Sequence, residues 1–160
     1  MTFIDENGNI LPGDSKKASI WDHNWIGASF MYRRKVYETV GDYREDMFLV
    51  EDYEYWLRVA KAGFQFHYCP RKVYRYRFHE DSLTSKKKRQ IRERLVILRE
   101  EQLLDDRVPE YGKDELRRNL LKDYFSLGQN EKFRSLYRYL WKAKKITHHE
   151  LKLKYLLRYF

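Results

Sequence analysis

Apolar and polar positions alternate with two different periodicities along this chain. In the first part the runs are short and mixed. Phe3-Ile4 and Ile10-Leu11 flank Asp5-Glu6-Asn7-Gly8-Asn9, and an Asn-Gly pair between apolar pairs predicts a tight hairpin. Pro12-Gly13-Asp14-Ser15 then breaks the chain. Residues 25–32 are apolar with small residues among them and predict a buried strand. Residues 34–40 predict a short helix stopped by Gly41, which can take the positive φ that ends helices. Residues 51–62 predict a longer helix. Tyr55, Val59 and Ala62 fall at i, i+4, i+7, Trp56 and Val59 at i, i+3, and Gly63 closes it. Phe64, Phe66 and Tyr68 alternate with Gln65 and His67, the period of a strand. After Pro70, residues 73–78 predict a second strand of the same kind.

The pattern changes near Ser85, and from Lys86 onward one helical stretch follows another. Ile91, Leu95 and Leu98 hold the spacing of a core-facing stripe. Val108-Pro109-Glu110-Tyr111-Gly112 interrupts it. Leu116, Leu120, Tyr124 and Leu127 then mark a helix ended by Gly128. Phe133, Leu136, Tyr137 and Leu140 mark another, and Leu151, Tyr155 and Tyr159 a last one. A boundary near 105 separates an α/β part, 1–105, from an all-helical part, 106–160. Consecutive short amphipathic helices pack as antiparallel hairpins.

Composition narrows the class. A chain of 160 residues is one ordinary domain, or one with a short appendage. Its 17% aromatic content opposes disorder, since these side chains bury large apolar areas. The single cysteine, Cys69, permits no intrachain disulfide and fits a reducing compartment. Five scattered histidines make a poor zinc site; His148 and His149 are adjacent, and neighbours on a helix do not converge. No stretch reads as a signal peptide, and no run approaches the roughly 18 apolar residues of a bilayer span. There is no GxGxxG, P-loop or GxSxG motif. The net charge is +9, unevenly placed. Residues 1–85 carry 12 basic and 13 acidic residues, residues 86–160 carry 21 and 11.

Candidate chemistry concentrates in residues 24–82. Glu51-Asp52 opens the longer predicted helix. Two acids there complement the positive end of the macrodipole, and Asp can cap the first turn. Alternatively, a carboxylate at the lip of a pocket takes a proton from an incoming hydroxyl. Spacing alone leaves both open.

Several elements in register bear on the choice. They are Asn24-Trp25-Ile26-Gly27-Ala28-Ser29, Arg33-Arg34-Lys35-Val36-Tyr37, Val40-Gly41-Asp42-Tyr43, Glu51-Asp52-Tyr53-Glu54-Tyr55-Trp56-Leu57-Arg58 and Tyr76-Arg77-Phe78-His79-Glu80-Asp81-Ser82. In this order and spacing they resemble the C-terminal half of the catalytic domain of family-2 glycosyltransferases, inverting enzymes of GT-A fold that use nucleotide sugars. The likeness covers about the first 90 residues. It implies an α/β fold: the C-terminal half of a GT-A nucleotide-diphospho-sugar transferase over 1–105, with a helical extension over 106–160.

The resemblance also implies roles. Asp52 matches the family's proposed catalytic base, and Glu51 would shape the acceptor side of the pocket. Arg77 and His79 match the late Arg and His near the donor diphosphate, where a cation offsets charge on the leaving group. His79 is also a candidate metal ligand. Trp56, four residues from Asp52, is a candidate for lining the acceptor site, with the core as the alternative. Gly27 and Ser29 would allow close packing beside the pocket. Arg58 reads as structural, paired with an acid.

The family binds its donor with an N-terminal half ending in Asp-x-Asp, which holds Mg²⁺ or Mn²⁺ on the diphosphate. This sequence contains no Asp-x-Asp. The expectation is a C-terminal piece of the transferase, with base and acceptor side but no donor side, inactive alone. The implied function is sugar transfer from a nucleotide sugar to a lipid-linked or glycan acceptor, in cell-envelope polysaccharide assembly. The implied location is the cytoplasm or the inner face of the membrane. The basic tail suits an anionic membrane surface, or is a solvated helix face. Nucleic acid is the least favoured partner, because no recognised binding module is present. The alternatives are a non-catalytic partner- or membrane-binding module and a small basic RNA-binding protein.

Overall fold

The computed structural model describes residues 2–4, 10–11, 19–69, 74–77 and 80–146. The chain divides into two compact units, Met1–Arg94 and Leu95–Phe160.

The first unit is arranged around one helix. Two short strands, β1 (Thr2–Ile4) and β2 (Ile10–Leu11), pair antiparallel with Phe3 opposite Leu11 and Ile4 opposite Ile10. Helix α1 (Arg34–Val40) follows, then a 3₁₀ turn (Glu45–Met47) and helix α2 (Glu51–Lys61). Strand β3 (Arg75–Arg77) runs parallel to β1, and helix α3 (Leu83–Lys86) comes next. Ser82 caps α3, its Oγ accepting from the Ser85 N–H at 3.2 Å. Residues 53–57 of α2 are buried without interruption, so α2 is enclosed rather than amphipathic. Ile20, Trp21, Val36, Met47 and Val50 are buried as well. Gly41 ends α1 with φ of 75°, and the Gly41 N–H donates to Tyr37 O at 2.8 Å.

One buried ion pair locks α2 in place. Glu54 is 2% exposed and accepts twice from Arg58 Nε, at 2.9 and 3.0 Å. The same guanidinium donates to the Val40 and Asp42 carbonyls and lies over the Tyr55 ring. Arg58 therefore satisfies the carbonyl end of α1 from α2, the structural role its position suggested.

The second unit is helical among its described residues. It is built from the later turns of α4 (Lys88–Leu103), from α5 (Glu110–Leu127) and from α6 (Asn130–Lys142). Gly128 ends α5 in the left-handed conformation at φ 72°. Lys145, just past α6, reaches Glu110 and Asp114 at the start of α5, so the two helices form an antiparallel hairpin. Val96, Leu120, Leu121, Tyr124, Phe133, Leu140 and Ile146 form its core.

The expectation of an α/β, partial GT-A fold is overturned. Among the described residues helices dominate, and strands are limited to three of two or three residues each. Residues 25–32 and 64–69 are not strands. Their apolar character has another cause: Phe30, Tyr32 and Phe66 lay their rings against Trp56 and Tyr55 of α2, and Trp25 packs edge to face on Phe66. A short apolar run says that a segment is buried, not what it is buried against. Gly27, with φ of 63°, bends the first of these segments away from any extended path. The second predicted strand shrinks to Arg75–Arg77. The Asn-Gly turn, residues 12–15, His79, His148 and His149, and the last predicted helix lie outside the described residues.

Candidate functional site

The acidic start of α2 is built in an unusual way. Its N-cap position is Val50, which has no side-chain acceptor for the first N–H groups. Leu49 before it has φ of 81°, a conformation that L-residues with a Cβ rarely adopt. Asp52 partly fills the gap, its Oδ1 accepting from the Tyr53 N–H at 2.7 Å. Its Oδ2 accepts from Asn24 Nδ2 at 2.8 Å. The Asn24 amide is itself oriented, because its Oδ1 accepts from the Ile26 N–H at 3.3 Å. The turn before Asn24 is tied down by buried Tyr53, whose hydroxyl donates to Ile20 O at 2.9 Å. The loop of residues 19–26 and the helix thus position one carboxylate between them.

Burial is the first influence on that carboxylate and pushes the Asp52 pKa above the ordinary aspartate value. The Tyr53 and Asn24 hydrogen bonds oppose the shift, and the neighbouring Glu51 charge adds to it. Burial wins. A half-buried carboxylate with a raised pKa is a better proton acceptor than a solvated one. Glu51 beside it has a buried Oε2 with no hydrogen-bond partner. Tyr43 faces both acids. Its phenol is raised first by burial, then by Tyr32, Asp52 and Glu51.

Aromatic rings continue from these acids. Tyr43 packs on Tyr55 at 4.8 Å between centroids, and Tyr55 meets Trp56 edge to face at 5.1 Å. Phe30 meets Trp56 edge to face at 4.8 Å. Phe30, Tyr32 and Tyr43 are exposed, while Trp56 is buried. The buried indole N–H groups of Trp25 and Trp56 have no acceptor. Unpartnered buried polar atoms are uncommon in finished cores, and four lie in this one region, on Trp25, Glu51, Tyr55 and Trp56.

The structure brings Glu51, Asp52 and Trp56 together on α2, as the spacing implied. It places Trp56 in the core, so the solvent-facing rings of this region are Phe30, Tyr32 and Tyr43. Gly27 and Ser29 are partly buried in the loop between Asn24 and Phe30, and Gly27 serves there through its positive φ. Arg77 is exposed on β3, opposite Ile4 in the parallel pair. Asn24, Tyr32 and Tyr43 were not anticipated as site residues. Asn24 is 28 positions from its partner, and no local pattern signals such a contact.

The divalent cation implied by the family resemblance finds no obvious ligand set here. Among the described residues no three His, Cys, Asp or Glu side chains gather to hold a metal ion. Both Asp52 oxygens already accept from N–H donors. No helix among the described residues is long and apolar enough to cross a membrane. Comparison with protein-family models, characterised proteins and solved structures yields no match.

Proposed function

We propose that this chain supplies the base and acceptor side of an inverting, family-2-type glycosyltransferase. The observation that supports this most is the setting of Asp52: half-buried, raised in pKa, held on one oxygen by Asn24 and close enough to the exposed Tyr43 phenol to act on it electrostatically. Aromatic faces beside a carboxylate suit a sugar, offering stacking surface and a hydrogen-bond acceptor together.

In this reading an acceptor hydroxyl enters between Asp52 and Tyr43. Asp52 takes its proton as the oxygen attacks the anomeric carbon of a nucleotide sugar. The bond from that carbon to the diphosphate oxygen breaks on the opposite face, and the nucleoside diphosphate leaves with the electron pair. One displacement inverts the centre and needs no covalent enzyme intermediate. Glu51, next to Asp52 at the start of α2, shapes the acceptor side. Arg77 and His79 retain their proposed place near the diphosphate. Donor binding falls to residues outside these 160, which contain no Asp-x-Asp.

The test is sugar transfer by the chain complemented with a donor-binding, Asp-x-Asp-containing segment. Asp52→Asn should lower kcat by roughly 10²–10⁴-fold, the usual worth of a positioned base. Transfer within a few-fold of wild type would refute the assignment.

A further inference from the structure

Helix α6 carries two neighbouring rows with the same spacing. Phe133, Tyr137 and Trp141 form one, Arg134, Arg138 and Lys142 the other. Each runs i, i+4, i+8, so both follow adjacent strips of the helix. The aromatic row climbs from core to surface, from Phe133 at 5% exposure to Trp141 at 42%. Successive rings stack at 6.1 and 6.2 Å. The basic row is exposed along its whole length.

The cations of this unit differ in what they face. Arg99, Arg107, Arg117, Arg118, Lys132 and Lys145 each pair with a carboxylate. Arg138, Lys142 and Lys144 have none within ion-pairing distance among the described residues. Lys144 takes a left-handed conformation, φ 54°, which turns the chain at the end of α6. Lys145 then reaches the acids of α5, while Lys144 stays exposed. Exposed Lys122 on α5 also lacks a carboxylate among the described residues and donates to Asn119 Oδ1, while Arg138, Lys142 and Lys144 lie together at the end of α6 beside an exposed indole.

We propose that this face of α6 binds an anionic lipid surface. Arg134, Arg138, Lys142 and Lys144 lie against the headgroups, and Trp141 seats at the boundary with the acyl region. Cations meet the negative surface potential, and an indole suits an interface that is wet on one side and apolar on the other. Single-stranded RNA fits less well. It needs several free ring faces for successive bases, and here the rings stack on one another with only Trp141 exposed in that row. The inference is independent of the transfer chemistry, since it rests on none of the α2 residues.

The test is co-sedimentation of the 160-residue chain with two kinds of vesicle. One is phosphatidylcholine alone; the other contains about a third phosphatidylserine. Binding should require phosphatidylserine and weaken with added salt. Each neutralised basic residue should lower the partition coefficient roughly fivefold, so Arg138→Gln with Lys142→Gln should lower it roughly 25-fold. Arg33→Gln with Lys35→Gln removes equal charge from the first unit and should leave partition within about twofold, as those residues do not belong to α6. Circular dichroism checks that the variants fold. If the double variant does not, Lys142→Gln alone should still give the roughly fivefold loss. Three outcomes would overturn the proposal. They are equal binding to both vesicles or to neither, equal losses in the two double variants, and retention of a single-stranded RNA oligonucleotide that depends on Arg138 and Lys142 while vesicles do not bind.

Discussion

The region around the start of α2 and the helical second unit handle buried polarity to different degrees. In the hairpin unit, Asp123 is buried against buried Arg99, and the Tyr124 hydroxyl donates to Glu100 Oε1 at 2.6 Å. Lys132 holds that same carboxylate at 2.7 Å and lies over the Tyr124 ring. Glu100 feels burial first, which raises its pKa, but Lys132 and Tyr124 together carry it below the ordinary value. Around α2 the balance goes the other way. Burial outweighs the hydrogen bonds to Asp52, and Trp25, Glu51, Tyr55 and Trp56 each leave a buried polar atom without a partner, against Arg99 Nε and Gln129 Oε1 in the second unit. A paired buried charge holds helices in register. An unpaired one is costly unless something else completes it. That difference of degree is what supports placing the proposed site at α2.

The sharpest way to break the contrast is to remove Asp123. Asp123→Ala leaves Arg99 buried without its carboxylate and should lower the stability of the second unit by about 3–5 kcal/mol in urea unfolding. A loss below about 1 kcal/mol would mean that the pair holds nothing in place. The next test compares two aromatic truncations. Tyr124→Phe removes a hydroxyl that serves a carboxylate and should cost about 1.5 kcal/mol. Trp56→Phe removes an N–H that serves nothing, so lost packing and relieved desolvation should offset to within about 1 kcal/mol. If Trp56→Phe proves the more costly of the two, the indole has a partner and the contrast fails.

A subtler test follows pH. The Asp52 pKa is raised on folding, so ionising it costs more in the folded chain than in the unfolded one. The wild type should lose stability as pH climbs from the unfolded value, about 3.9, through the raised folded one. Asp52→Asn should escape that loss, being the more stable chain at neutral pH and equal to wild type in acid. Glu100 has the opposite sign: its contribution is present above the unfolded value and disappears as pH falls through the lowered folded one. Melting temperatures of wild type, Asp52→Asn and Glu100→Gln across acid to neutral pH distinguish the two behaviours. The smallest effect belongs to the exposed network of Glu110, Asp114, Arg117 and Lys145. Glu110→Gln should lower the melting temperature slightly at low salt and not at all at high salt. A large, salt-independent loss would move this network into the buried class.

Local physics made much of the helical frame legible in the sequence. Residues 34–40 and 51–61 form the two expected helices, and Gly41, Gly63 and Gly128 stop theirs with positive φ. The Phe133, Tyr137, Leu140 stripe lies on α6, and Leu116, Leu120 and Tyr124 face the core from α5. Spacing and capping within a few residues suffice for such features. The supposed strands at 25–32 and 64–68 failed for the converse reason. Their apolar residues pack against a helix rather than into a sheet, and nothing within the run tells the two apart. The acidic pair at 51–52 was visible as residues, but its chemistry was not. Only the fold brings Asn24 onto Asp52, buries that carboxylate, sets Tyr43 beside it and leaves the indoles unpartnered. Likewise the sequence carries the excess charge after residue 86, while the tertiary structure decides which cations find carboxylates and which remain on the outer face of α6. Helix periodicity is a property of neighbours in the chain; desolvation and partner choice are properties of neighbours in space.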